Sequence, residues 1–163
     1  MSTVENLKTA FAGESQANRK YTAYARKAEQ DGLPGVARLF RAAAAAETVH
    51  ALAHFRALGG VKDTLANLQE AAAGENYEVT QMYPPFVEEA RKEAHTAGLR
   101  SMEDALQVEK VHFALYNAAL ASVKGGKDIP VQPYFVCATC GHTLAGQAPA
   151  TCPICGAKKF DEV

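Results

Sequence analysis

Apolar residues recur at spacings of three and four along the first 124 positions, the period of a helix with one buried face. The first run opens on Ser2-x-x-Glu5, a capping-box pattern, and holds to residue 31, where Gly32-Leu33-Pro34-Gly35 interrupts it. A second helix is predicted from Pro34 to the Gly59-Gly60 pair. A third is predicted from Thr64 to His95, kinked or broken by Pro84-Pro85, and a fourth from Ser101 to Lys124. Short connections make neighbouring helices mostly antiparallel, so the pattern predicts an all-α four-helix bundle. The run Ala42 to Ala46 suits close helix packing and high helix propensity rather than a low-complexity linker.

Each predicted inward stripe is broken by a carboxylate. The first helix offers Leu7, Phe11, Glu14, Asn18, Tyr21 and Ala25, and the second Val36, Phe40, Ala43, Glu47, His50 and His54. The third offers Leu65, Leu68, Ala72, Glu75, Val79, Met82 and Phe86, with Glu78 one turn beyond Glu75; the fourth offers Ala105, Glu109, His112, Tyr116 and Leu120. Glutamate is a favoured helix residue, and Glu29, Glu70, Glu88, Glu89, Glu93 and Glu103 read simply as solvated. Four stripes interrupted at a similar level are different. Burying several carboxylates together without compensation costs many kcal/mol, so cations are expected among them.

An internal repeat leads to the same place. Ala12-Gly13-Glu14 recurs as Ala73-Gly74-Glu75, 61 residues on, and Glu47-Thr48-Val49-His50 recurs as Glu109-Lys110-Val111-His112, 62 residues on. Two copies of one helical hairpin related by a pseudo-two-fold axis bring two equivalent half-sites together, each with a lone glutamate and a Glu-x-x-His. That is the ligand set of ferritin-like di-iron or di-manganese sites. Oxygen-rich ligation with two imidazoles suits iron or manganese better than copper or a thiolate-seeking metal. The repeat fails at one point: Ala17 follows Glu14 by three residues, whereas Glu78 follows Glu75 by three. Glu14, Glu47, Glu75 and Glu109 already balance two divalent ions, which leaves Glu78 as an extra carboxylate, either functional or merely supporting. Tyr21 and Tyr83 are placed to donate hydrogen bonds to ligand carboxylates, or to serve as ordinary core tyrosines. His54 reads as a packing or supporting residue beside His50, and His95 and His142 belong to no constellation.

Composition adds a second domain. All four cysteines, Cys137, Cys140, Cys152 and Cys155, fall in the last 27 of 163 residues, after the Gly- and Pro-containing stretch 125–133. The expected domains are therefore 1–127 and 128–163. Cys-x-x-Cys, eleven residues, then Cys-x-x-Cys is a tetrathiolate pattern, and a segment this small depends on its metal for stability. Spacing alone leaves structural zinc and iron both open. A net charge of -1 and a pI near 6.5 give no reason to expect nucleic acid or a membrane surface as partner. The first residues lack a signal-peptide pattern and no apolar run is long enough to span a membrane, so a cytoplasmic protein is expected.

Together, AGESQANRKY from Ala12, ETVH from Glu47, GENYEVTQMYP from Gly74, EKVH from Glu109 and the CATCG and CPICG knuckles resemble the rubrerythrin family over nearly the whole chain. The resemblance implies a ferritin-like di-iron bundle followed by a rubredoxin-like domain. It implies that Glu14, Glu47, His50, Glu75, Glu78, Glu109 and His112 hold two irons and that the four cysteines hold a third. It also implies that His50 and Glu78 alternate at one iron with its oxidation state. The implied activity is a non-haem di-iron peroxidase reducing hydrogen peroxide to water, fed by an electron donor such as a reductase or a rubredoxin, in a homodimer or higher homo-oligomer.

Overall fold

The computed structural model describes residues 2–163. The chain forms two compact units, Met1–Lys62 and Asp63–Val163.

The first unit is a helical hairpin of α1 (Thr3–Gln30) and α2 (Pro34–Ala57). Ser2 caps α1 in both directions: its hydroxyl accepts the Glu5 N–H at 3.2 Å, and its own N–H donates to the Glu5 carboxylate at 2.6 Å. Gly32, at φ +73°, takes the left-handed turn that ends α1, and Pro34 opens α2 where no N–H is needed. The seam is made of small residues. Ala25 and Ala28 of α1, and Ala37, Ala44 and Ala51 of α2, are buried, the last three spaced by seven. Close approach brings Asn18 within reach of the other helix: its amide donates to the Ala44 carbonyl at 2.6 Å and the Thr48 hydroxyl at 2.7 Å. Asn18 therefore ties the helices together. Phe11 stacks on Phe55 with ring centroids 5.0 Å apart.

The second unit begins with α3 (Thr64–Tyr77), capped by the Asp63 carboxylate on the Ala66 N–H at 2.8 Å. The kink expected at Pro84-Pro85 is instead a widened π-helical turn just ahead of them, Glu78–Met82, after which α4 runs from Tyr83 to Lys92. The cause is the prolines themselves. Neither can donate a backbone hydrogen bond, and a proline ring clashes with the carbonyl four residues back; a wider turn, with the Tyr83 N–H reaching the Glu78 carbonyl, relieves both. Helix α5 (Thr96–Lys124) starts five residues before the expected Ser101 because the His95 ring nitrogen accepts the Gly98 N–H at 2.9 Å. Helix α5 packs on α3, the π-helical turn and α4, with Ala72, Val87, Ala90, Val108 and Ala119 buried.

After residues 125–133, which are neither helix nor strand, a three-stranded antiparallel sheet closes the unit in the order β2-β1-β3. Its strands are β1 (Tyr134–Cys137), β2 (Thr143–Ala145) and β3 (Phe160–Glu162), and β2 touches α5. No helix among the described residues is long and apolar enough to cross a membrane.

Candidate metal centres

The four cysteines converge at one end of the sheet. Cys137 closes β1, Cys140 ends the first knuckle, and Cys152 and Cys155 form the second. Gly141 (φ +85°) and Gly156 (φ +77°) follow the second cysteine of each pair in a conformation that only glycine adopts without strain. The sulfurs of Cys137 and Cys155 lie 3.6 Å apart, as do those of Cys140 and Cys152. A tetrahedron with metal–sulfur bonds of about 2.3 Å has an edge of about 3.8 Å, so the four thiols fit one ion. Burial opposes ionisation of Cys137, but backbone N–H groups of Cys140 and Thr139 aimed at its sulfur outweigh it and hold the thiol down to about 7. Burial pushes the Cys140 thiol up.

A second group sits on α3 and α5. Glu75, Glu109 and His112 each present a ligand atom within 4.8 Å of the others. His112 Nδ1 is 2.7 Å from Glu109 Oε2 and 3.8 Å from Glu75 Oε1. The Glu-x-x-His spacing aims both side chains of α5 the same way. Burial, then the charge and hydrogen bond of neighbouring Glu109, raise Glu75 to about 7. A Glu75 carboxyl raised to about 7 beside the Glu109 carboxylate is what a divalent cation relieves, so these residues fit a metal.

Glu78 stands beside this group rather than in it. It opens the π-helical turn, and its pKa is raised by burial and by Glu109, with His112 opposing. Tyr83, just past the turn, is raised by burial and then by the charges of Glu78, Glu109 and Glu75.

The first unit carries a group of the same composition: Glu14 of α1 with Glu47 and His50 of α2, again with ligand atoms within 4.8 Å. His50 Nδ1 lies 2.9 Å from Glu47 Oε2. The two histidines differ in one respect. The side chain of His112 is 27% exposed and that of His50 is 56% exposed. Tyr21 packs its ring on Tyr24 and Phe40. His142 is buried, with its Nδ1 lacking a hydrogen-bond partner among the described residues. One contact carries no sequence signal at all: Thr143, 31 residues after His112, places its hydroxyl 2.9 Å from His112 Nε2.

Comparison with known families decides what these groups belong to. A family model described as Rubrerythrin matches residues 5–120, and one described as Rubrerythrin, rubredoxin-like domain, matches residues 135–160. The chain belongs to the rubrerythrin family. It is 36% identical to Rubrerythrin-2 of Clostridium acetobutylicum, across 96% of this chain and 93% of that protein. It is 38% identical to Nigerythrin of Nitratidesulfovibrio vulgaris, across 94% of this chain and 82% of that one. Among solved structures, nigerythrin in its fully reduced, all-ferrous state matches over 100% of this chain and 87% of its own, with a TM-score of 0.58 and 32% identity. The helices thus form the ferritin-like part of a rubrerythrin and the strands its rubredoxin-like part, as the sequence pattern led one to expect. With them come the di-iron site and the four-cysteine site of the family, an assignment that the Glu/His and Cys groups fit.

Proposed function

We propose that this rubrerythrin is a non-haem di-iron peroxidase that reduces hydrogen peroxide to water. Its residues 1–127 carry the di-iron site and residues 128–163 carry a tetrathiolate iron that relays electrons. The observation that carries the reading is Glu78, a further carboxylate beside the complete Glu75/Glu109/His112 group, set on a π-helical turn in an otherwise duplicated scaffold. Metal storage or transport has no evident need of it. Irregular turns of this kind interrupt helices at functional positions.

In this reading Glu14, Glu47 and His50, with Glu75, Glu109 and His112, would hold the two irons. The metals supply the redox capacity. The chain would supply a ligand exchange, neutral His50 suiting the reduced state and anionic Glu78 the oxidised one, because added positive charge is better met by a carboxylate than by an imidazole. The exposure of His50, twice that of His112, supports assigning the departure to it. Tyr83 and Tyr21 would donate hydrogen bonds that orient the ligand carboxylates once metal is bound. Hydrogen peroxide takes up two electrons and two protons, its O–O bond breaks, and two waters leave. Cys137, Cys140, Cys152 and Cys155 would hold the iron that supplies electrons singly, with a reductase or a rubredoxin as the donor to it. The working form is a homodimer or larger homo-oligomer.

The test is Glu78→Ala in iron-loaded protein, with anaerobic peroxide and, separately, oxygen as oxidants. Two metals remain in the Glu/His site, and peroxide turnover falls by roughly tenfold or more, about 1.4 kcal/mol of barrier. Unchanged turnover removes the ligand exchange, and preference for oxygen without turnover points to iron oxidation instead.

A further inference from the structure

We propose that Thr143 is the positioning residue of His112, through which the cysteine module fixes the orientation of one di-iron ligand. This rests on the reading of His112 as that ligand. Thr143 opens β2, three residues after Cys140, paired with Val136 across the sheet. Its Oγ1 lies 2.9 Å from His112 Nε2 and 3.0 Å from the carbonyl oxygen of Gly141. A hydroxyl has one proton, and a carbonyl only accepts. The Thr143 proton therefore goes to Gly141, and its lone pairs are left for a proton on His112 Nε2. That leaves Nδ1 as the nitrogen with a free lone pair, and Nδ1 is the atom that faces Glu109 and Glu75.

A histidine ligand commonly gives its second N–H to a carboxylate, a carbonyl or water. Here the acceptor comes from the other metal module. Two consequences follow. His112 is anchored at Nε2 by Thr143, whereas the contact of His50 among the described residues is with Glu47 at Nδ1, so the exchange with Glu78 falls on the histidine without an anchor at Nε2. And because Gly141 follows Cys140 directly, the path from Cys140 through the Gly141 carbonyl and the Thr143 hydroxyl to His112 crosses only two hydrogen bonds. With metals bound, this would be a continuous bonded route between the cysteine group and the Glu/His group.

The experiment compares the full-length protein with Thr143→Val, which keeps the shape without the hydroxyl, and Thr143→Ser, which restores the hydroxyl. In zinc-filled protein, proton–nitrogen NMR reads the Nε2 proton of His112: protected from exchange in the parent and the Ser variant, exchange-broadened in the Val variant. This readout stands whether or not peroxide is the oxidant. In iron-loaded, reduced protein, stopped-flow mixing with peroxide follows the colour of the ferric tetrathiolate; the Val variant slows its appearance by about tenfold, at unchanged iron content, and the Ser variant recovers it. An equally protected proton in the Val variant overturns the proposal, as does a Ser variant that is as slow as Val.

Discussion

Glu75→Gln separates what this residue does for metal binding from what it costs the fold. In the metal-free protein, burial and the adjacent Glu109 raise the Glu75 carboxyl from 4.5 to about 7. Fully expressed, that difference is about 3.4 kcal/mol at 1.36 kcal/mol per pH unit. Solvent screening at this partly exposed pair leaves on the order of 1.5 kcal/mol. The sign follows from the raised value. The proton that favours the folded state is fully bound below pH 4.5 and is lost as pH rises through 7, so the metal-free protein is weakest above neutrality. A neutral glutamine has no such penalty. With one equivalent of zinc, which the four thiolates take first, urea unfolding followed by far-UV circular dichroism gives a small difference at pH 5 that grows to a Gln variant about 1.5 kcal/mol more stable at pH 8. The same variant loses iron from the Glu/His site. A parent protein as stable as the variant at pH 8, or a gap that does not change with pH, refutes the crowded-carboxylate account.

Two further outcomes follow. Cys140→Ser removes the tetrathiolate colour and the delivery of external electrons while leaving the metals of the helical part in place; metal analysis beside donor-linked and direct peroxide assays reads both, and donor-linked activity that survives makes the cysteine module structural. Ala37→Leu, at a position 0% exposed on the α1–α2 seam, forces the helices apart and lowers stability by about 1–3 kcal/mol in urea unfolding.

Much of the site was legible because its chemistry is written in helical spacing. Glu-x-x-His twice, each with a lone glutamate on a neighbouring stripe, places ligands on one face without knowledge of the tertiary fold, and the structure gathers both triplets as that spacing predicts. Glu78 stood out because it breaks a repeat. The π-helical turn that carries it was not legible as such: two prolines announce a disturbance but not whether the helix kinks, stops or widens. The start of α5 was misplaced because a histidine caps it, a role that the preference for Ser, Thr, Asp and Asn does not foresee. Asn18 lay on the ligand stripe, yet the alanine seam draws α2 close enough for it to bind backbone instead. Thr143 was invisible, since its partner is 31 residues away and only tertiary packing joins them.

The most direct test of the central claim is iron quantification with an absorption spectrum, taken before and after anaerobic addition of peroxide to the reduced protein. Two irons are expected in the Glu/His site and one in the cysteine site, with rapid consumption of peroxide and return of the ferric tetrathiolate colour. Iron in the Glu/His site with peroxide left unconsumed, or a colourless zinc-filled cysteine site with peroxide reduction undiminished, contradicts it.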